Sequence, residues 1–580
     1  MVWTQLTEGL RSALEAVGLY TPERLSRLEL SIPRDPSHGD WTTNLAMVLA
    51  REARRPPRAL AESLASAFPR DARLFESVEV AGPGFLNFRY APEFLDALAA
   101  RIRSDGPGFG RSSGGAGVSV QVEYVSANPT GPLNVVNARA AAVGATLVRL
   151  LSAVGYRASG EFYVNDAGGQ VELLGESLAA RFAERIGVSR SFPEQGYRGA
   201  YIADLAGELP EAEARAALDR ADARSWFRDQ ALARMLAWQS RDLAAYGAEY
   251  ARWFKESELH TSGAVADTLA ALEARGMLYR ARQPEVAPTD RPAERDEEDA
   301  GEATFLRTSR FGDDTDRVVV RSNGVPTYLL PDIAYHRDKR ARGFRHVIDL
   351  WGPDHHGYAP RMKAALLALG LEPDFLEVLI VQQVNLLLGG QPVRMSKRAG
   401  EFITLRELID EVGADCAKFF FLLRSTSAHL DFDLDLAKRQ NEENPAYYVQ
   451  YAHARISSIL RFAAERGLTP GAAGPGLANG GSRYPANEER ALLRKLAAFP
   501  EVVRGAALAR EPHRLPTYLM ETAAEFHRFY HACRVVSDDA ARSRLRLELA
   551  DAARQVLQNG LTLMSVTAPE RMDRAGEAAS

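Results

Sequence analysis

Hydrophobic positions change their period several times along this chain, and each change marks a unit. The opening residues MVWTQLTEGLRSALEAVGLY set Leu6, Leu10, Leu14 and Val17 at helical spacing. SVEVAGPGFLNFRY (Ser77–Tyr90) reads as strand, Gly/Pro turn and strand, and the Gly/Ser-rich GPGFGRSSGGAG (Gly106–Gly117) reads as a hinge between modules. Beyond it VSVQVEYV (Val118–Val125) alternates as a strand, Asn128-Pro129-Thr130-Gly131-Pro132 turns the chain, and an Ala-rich helix is predicted from about Leu133 to Val154. Strand, tight turn and helix in that order are the layout of a nucleotide-binding α/β unit.

Leu174 to Arg280 is mostly helical by period, and the polar run Ala287–Ala303 reads as a surface loop. Parallel-sheet character returns in His346–Gly352 and Val378–Val384, flanked by helical patterns such as Arg361–Leu369. From Asn444 onward the pattern is all helix: Tyr448, Ala452, Ile456 and Leu460 form one stripe, the Gly/Ala-rich Gly467–Ser482 is a linker, and further helices are predicted near 488–508, 516–536 and 540–564. The expected fold class is α/β plus all-α. It comprises a small α+β unit (1–105), a Rossmann-type core (117–385) split by a helical insertion at about 174–310, a connecting region (386–440) and a C-terminal helical bundle (441–580).

Composition changes this picture little. A chain of 580 residues exceeds a single core, and 46% hydrophobic with 25% charged residues is ordinary globular usage. The net charge of −5 argues against indiscriminate coating of nucleic acid, yet leaves room for a folded RNA held by local basic patches. Two distant cysteines, Cys416 and Cys533, support neither a disulfide framework nor a structural zinc site. The N-terminus shows no export signal and no apolar run approaches the ~20 residues of a bilayer span, so a cytoplasmic protein without a membrane partner is expected.

Two segments carry candidate chemistry. The turn before Leu133 aims the first amides of a helix at an anion, with ATP phosphate the natural candidate and an ordinary Pro-initiated helix the plain alternative. In VRMSKRAG (Val393–Gly400), Lys397 and Arg398 could neutralise charge on a pyrophosphate leaving group, while Gly389, Gly390 and Gly400 allow movement; a solvated basic turn is the alternative. Alone, Asp332 would more often be a helix N-cap, and Asn165-Asp166 a turn before Gly168. His355 and His356 lack a third ligand, so no metal site is assigned.

Taken together these residues resemble the arginyl-tRNA synthetases of class I. SANPTGPL (Ser126–Leu133) is similar to the lead-in of the family's HIGH signature and VRMSKRAG to its KMSKS signature. YVNDAG, RVVVRSNGVPTYLLPDIAYH and WGPDHHGY resemble its pocket segments, NPAYYVQYAHARI the start of its anticodon-binding domain, and PSHGDWTTNLA with GPGFLNF its tRNA-elbow module. The resemblance implies ligation of L-arginine to tRNA(Arg) through an adenylate, with ATP and Mg²⁺ and no prosthetic group, by a monomer. It assigns Glu123, Asn128, Asn165, Asp166, Tyr328 and Asp332 to arginine. Pro132, Leu133, Gly352, Asp354, His355, His356, Arg394, Met395 and Ser396 fall to ATP, Asn134, Asn137, Lys397 and Arg398 to catalysis, and Tyr447, Tyr448, Tyr451 and Arg455 to tRNA.

One departure stands out. The family's His-x-Gly-His is Asn134-Val135-Val136-Asn137 here. Asn amides can donate to phosphate, but a charged donor is worth about 1–2 kcal/mol more, roughly a tenfold rate effect, and Val136 would press on the adenine. Lys397 is kept, as is the charge at Arg394. The loss of both histidines leaves a second reading, a non-catalytic tRNA- or arginine-binding paralogue.

Overall fold

The computed structural model describes residues 2–33, 35–69, 71–282, 301–393, 403–471 and 482–572. Its centre is a five-stranded parallel sheet. Alternation at Val120 and Val122 buries one face of Ser119–Glu123 against the helix Val135–Ala153, and the strand order is Leu376–Ile380, His346–Trp351, Ser119–Glu123, Arg157–Val164, Arg252–Lys255. Counted from the Arg252–Lys255 edge in chain order this is 3-2-1-4-5, so connections leave the first and fourth strands in opposite directions and open a crevice at their carboxyl ends. Asp349 lies beside Glu123 there in register.

The sheet revises three expectations. Arg252–Lys255 is a core strand inside the stretch read as insertion. The run Val378–Val384 divides: Leu376–Ile380 belongs to the core, whereas Val384 opens Val384–Leu388, which pairs in parallel with Leu430–Asp433 in another sheet. Glu302–Leu306, the edge of the expected polar loop, is the middle strand of an antiparallel sheet with Leu278–Arg282 and Arg317–Val320; most of that loop lies outside the described residues. The insertion proper packs Gly169–Arg185 against Ala223–Ala245 over its own small core.

Val135–Ala153, at 19 residues, is long and apolar enough to cross a membrane, contrary to the sequence reading, but 67% of its apolar window is buried inside the protein as the core helix of the sheet. Gly144 is required there, since a Cβ would stand 2.1 Å from Tyr124.

The N-terminal unit packs Val2–Ala16 and two further helices on an antiparallel sheet whose order is Trp41–Thr43, Phe85–Tyr90, Phe75–Ala81. Its helix Pro92–Asp105 lies on the last helix, Ala540–Leu563, with Arg103 paired to Asp551 at 2.7 Å and Arg494 to Asp40 at 2.8 Å. The stretch read as a hinge is fixed in place: Asn559 donates to the carbonyls of Gly106 and Phe109, and Gly115 N–H to that of Val154 at 2.7 Å. In the bundle, Pro445–Ala464 buries Ala446, Val449, Ala452, His453 and Ile456, so the predicted stripe is rotated and Tyr448 lies at its margin; Pro500 breaks the predicted 488–508 helix into Asn487–Ala497 and Phe499–Leu508.

Candidate active site

At the end of the first strand the backbone turns left-handed twice, with φ +70° at Val125 and +39° at Ser126. Such geometry costs about 1–3 kcal/mol per non-glycine residue, more so for a β-branched one, and persists only where its surroundings impose it. Here Ser126 Oγ donates to Glu123 Oε1 at 3.0 Å and accepts from Tyr163 N–H at 3.1 Å. The insertion props the following turn: Gln239 donates to the carbonyls of Gly131 (2.9 Å) and Asn128 (3.3 Å), Tyr201 to that of Thr130 (2.8 Å), and the exposed Asn128 donates to Gln170.

The helix then starts three residues after Pro132, with Asn134 as its N-cap. Asn134 Oδ1 accepts from Val136 and Asn137 N–H at 3.0 and 3.2 Å, and Asn137 Oδ1 accepts from Asn134 N–H at 3.0 Å, a reciprocal capping box. This corrects two expectations. The helix is not Pro-initiated, and its leading amides are satisfied by side chains rather than left for a phosphate. The Nδ2 groups of Asn134 and Asn137 make no hydrogen bond among the described residues, so they are the donors this signature offers.

The segment that follows the second signature reaches the start of this helix. Leu405 N–H donates to the Leu133 carbonyl at 2.7 Å and Thr404 bridges Asn134, while Gln391–Pro392 pairs with Val384–Leu388 on the other side. Arg139, one turn in and fully buried, donates to the carbonyls of Gln382, Ser425 and Ala428 at 2.8–2.9 Å, and burial pushes its guanidinium down to about 10. Arg394, Met395, Ser396, Lys397 and Arg398 lie outside the described residues.

Across the crevice stands the helix Leu329–Ala341, which follows a Gly324 turn and is entered at Tyr328. Asp332 is no N-cap: the half-buried carboxylate accepts from Tyr358 O–H at 2.6 Å. Burial pushes it up to about 6, against the hydrogen bond from Tyr358 and the nearby His336, with Glu123 and Glu256 adding repulsion. Glu256, raised by burial and by Asp166, receives the Asn165 amide at 3.0 Å in the orientation that also satisfies the Ala167 carbonyl. Asp166, expected against arginine, has both oxygens on Ser257, at 2.9 Å from N–H and 2.7 Å from Oγ, and so anchors the start of the helix Glu256–Thr261. Tyr328, expected against arginine, is 80% exposed and outside the packed pocket.

Glu123 Oε2 accepts from Lys339 Nζ at 2.6 Å, and Lys339 also donates to Asp349 Oδ1 at 3.0 Å; Asp349 Oδ2 meets His336 Nε2 at 2.9 Å. Burial pulls Lys339 down, but Asp349 and Glu123 more than reverse it, so it stays charged. Glu256, Lys339, Asp349 and Tyr358 escaped the sequence reading. The spacing of Asp332, His336 and Lys339, four and three residues apart, was the available signal that one helix face carries all three. Gly352 leads into the short turn Pro353–His355, whose Asp354 and His355, with His356, are exposed at the rim, His355 resting on Trp351.

Far from this crevice, Tyr447 and Tyr451 stack at 6.0 Å and 8°, Tyr448 leans on His527 at 5.4 Å, and Arg455 covers Tyr530 at 4.5 Å. Asn444 caps this helix, accepting from Ala446 and Tyr447 N–H. The four predicted residues share one half-buried face with His527, which burial pushes down to about 4.

Comparison with known proteins follows the same division of the chain. Residues 4–90 match the model of the arginyl tRNA synthetase N terminal domain, 114–419 that of the class I (R) tRNA synthetase catalytic domain, and 449–572 that of the DALR anticodon binding domain. The arginine–tRNA ligase of Geobacillus thermodenitrificans is 43% identical over 571 residues, 98% of each chain. That of Desulforudis audaxviator is 45% identical over 579 residues, again 98% of each. The solved arginyl-tRNA synthetase of Thermus thermophilus shares the fold with a TM-score of 0.77 at 24% identity, covering 99% of this chain and 100% of its own.

Proposed function

The chain belongs to the arginyl-tRNA synthetases, ligases of class I, and we propose that its crevice joins L-arginine to ATP as arginyl-adenylate, releasing pyrophosphate, and then passes the arginyl group to the 3′ end of tRNA(Arg). The observation that carries this reading is the gathering of Asp332, Glu256 and Glu123 at the switch point, with Asp332 held near pKa 6 by burial and by its acidic neighbours. A pocket in which carboxylates repel one another is relieved by a cation, and a guanidinium gives planar, bidentate, charge-assisted hydrogen bonds.

In this reading Asp332 and Glu256 receive the guanidinium and Glu123 the α-ammonium, with Asn128 and Tyr328 closing on the bound amino acid and Asn165 and Asp166 orienting Glu256. The arginine carboxylate then lies toward Asn134 and attacks the α-phosphorus of ATP in line as pyrophosphate leaves. Asn134 and Asn137 donate through Nδ2, Lys397 and Arg398 neutralise the leaving pyrophosphate, and Gly352, Asp354, His355 and His356 bind the nucleotide with Pro132, Leu133, Arg394, Met395 and Ser396. Mg²⁺ would enter with ATP and supply charge neutralisation on its phosphates, as a cation that keeps mostly water and phosphate ligands.

The Tyr447, Tyr448, Tyr451 and Arg455 face takes unpaired anticodon bases by stacking, worth about 1–3 kcal/mol per base. A monomer in the cytoplasm completes the reading, in keeping with two unpaired cysteines. The deciding experiment is arginine-dependent ATP–pyrophosphate exchange with and without tRNA(Arg), beside direct charging. Exchange with charging is expected; a folded protein that binds tRNA(Arg) yet does neither would leave only the non-catalytic paralogue.

A further inference from the structure

We propose that Lys339 is a positioning residue for the arginine pocket: acting through Glu123, it holds the strained Val125–Ser126 turn and thereby sets the affinity for arginine without touching it. The proposal rests on the arginine pocket read above and adds to it a residue buried beneath that pocket.

The geometry is a continuous relay. Asp349 on the fourth strand accepts from Lys339, Lys339 donates to Glu123 on the first strand, and Glu123 accepts from Ser126 Oγ, which in turn accepts from Tyr163 N–H on the second strand. Four bonds of 2.6–3.1 Å thus tie three strands and the Asp332 helix together where the strand order reverses. Lys339 is 0% exposed and stands seven residues from Asp332 on one helix face, so whatever fixes Lys339 also fixes Asp332 relative to Glu123.

Two features separate this from an ion pair that only stabilises the fold. The relay ends on two consecutive left-handed residues that are not glycine, a conformation the local sequence does not favour. Glu123 also offers one oxygen to Lys339 and the other to Ser126, so its carboxylate plane is set before a ligand arrives. A carboxylate aimed in advance binds a cation without first being ordered.

The test uses the full chain in ATP–pyrophosphate exchange, with tRNA(Arg) present and arginine and ATP varied separately. Lys339→Met and Ser126→Ala should each raise the arginine KM about tenfold or more while the ATP KM stays within about threefold, and Lys339→Met should add little in a Glu123→Gln background because both act through one group. Lys339→Met strands two buried carboxylates and can fail to fold; Ser126→Ala keeps both Lys339 ion pairs, so an unchanged arginine KM in it overturns the proposal even then. Unchanged arginine KM in Ser126→Ala and in folded Lys339→Met, or a fall in kcat alone, overturns the proposal. Asp332→Asn run alongside separates the two readings: if it raises the arginine KM the pocket stands without the relay, and if it does not, the pocket itself is misread.

Discussion

The two walls of the crevice are held by opposite means. The wall proposed for arginine is charge on charge: Asp332, Glu256 and Glu123 lie close enough to repel one another, and Lys339, Asp349 and His336 are interlocked beside them. The wall proposed for the nucleotide is built from neutral partners. Asn134 and Asn137 cap one another, and Arg139, fully buried one turn further on, is met by backbone carbonyls. A wall that receives a cation gains from carboxylates in excess, because the ligand relieves their repulsion. A wall that receives a polyanion gains from donors that keep acidic groups away.

Breaking the arginine wall should have the largest effect. Asp332→Asn replaces a charge-assisted pair by a neutral one in a half-buried site, and the arginine KM in exchange should rise about 100-fold, near 3 kcal/mol, with the ATP KM little changed. Equal increases in both would mean that the walls are not separate.

Acid should reach the same wall without mutation. With Asp332 near 6, arginine binding weakens about tenfold between pH 7 and 5 as this carboxyl takes up its proton, Glu123 and Glu256, also raised, following in the same direction, while the ATP KM stays level. For stability the sign is the reverse of an ordinary ion pair. Between the unfolded value near 4 and about 6 the folded form binds more protons, so this group's contribution falls as pH rises through that window. Arginine in the pocket should flatten that dependence in a pH series of thermal melts.

On the nucleotide wall, Arg139→Met leaves buried carbonyls without a donor, at about 1–3 kcal/mol, and loosens the segments that flank the second signature. Exchange should fall about tenfold through kcat or the ATP KM, with the arginine KM unmoved. The smallest effect is expected of Asn134→Ala, which removes the capping oxygen and costs about 1 kcal/mol of stability, seen as a lower melting midpoint with a severalfold loss in exchange rate. A larger loss than from Arg139→Met would show that the Asn134 amide does more in the reaction than cap the helix.

Much of the crevice is legible in the local pattern of the chain. The strand, turn and helix around Asn128–Pro132 and the helix that begins at Asn444 follow from period and turn chemistry, and both stand close to where the pattern puts them. The rotation of the Tyr448 stripe and the break at Pro500 have local signals too: small residues after Asn444 suit the packed face better than tyrosine, and a proline stops a helix. The roles of Asp332, Asp166 and the asparagines cannot be read so finely. An N-cap, a turn carboxylate and a free amide donor look alike until their partners are known, and those partners, Tyr358, Ser257 and the signature's own backbone, are fixed by folding.

The sequence by itself determined the helices, the first strand with its turn, and the unusual NVVN signature, because each is written in residues within a turn or two of one another. Only the tertiary structure decided that Arg252–Lys255 joins the sheet, that Asp349 stands beside Glu123, and that Lys339 lies between them. The physical reason is that parallel pairing and buried ion pairs unite positions far apart in the chain. Their free energy depends on burial and relative placement that no local pattern records.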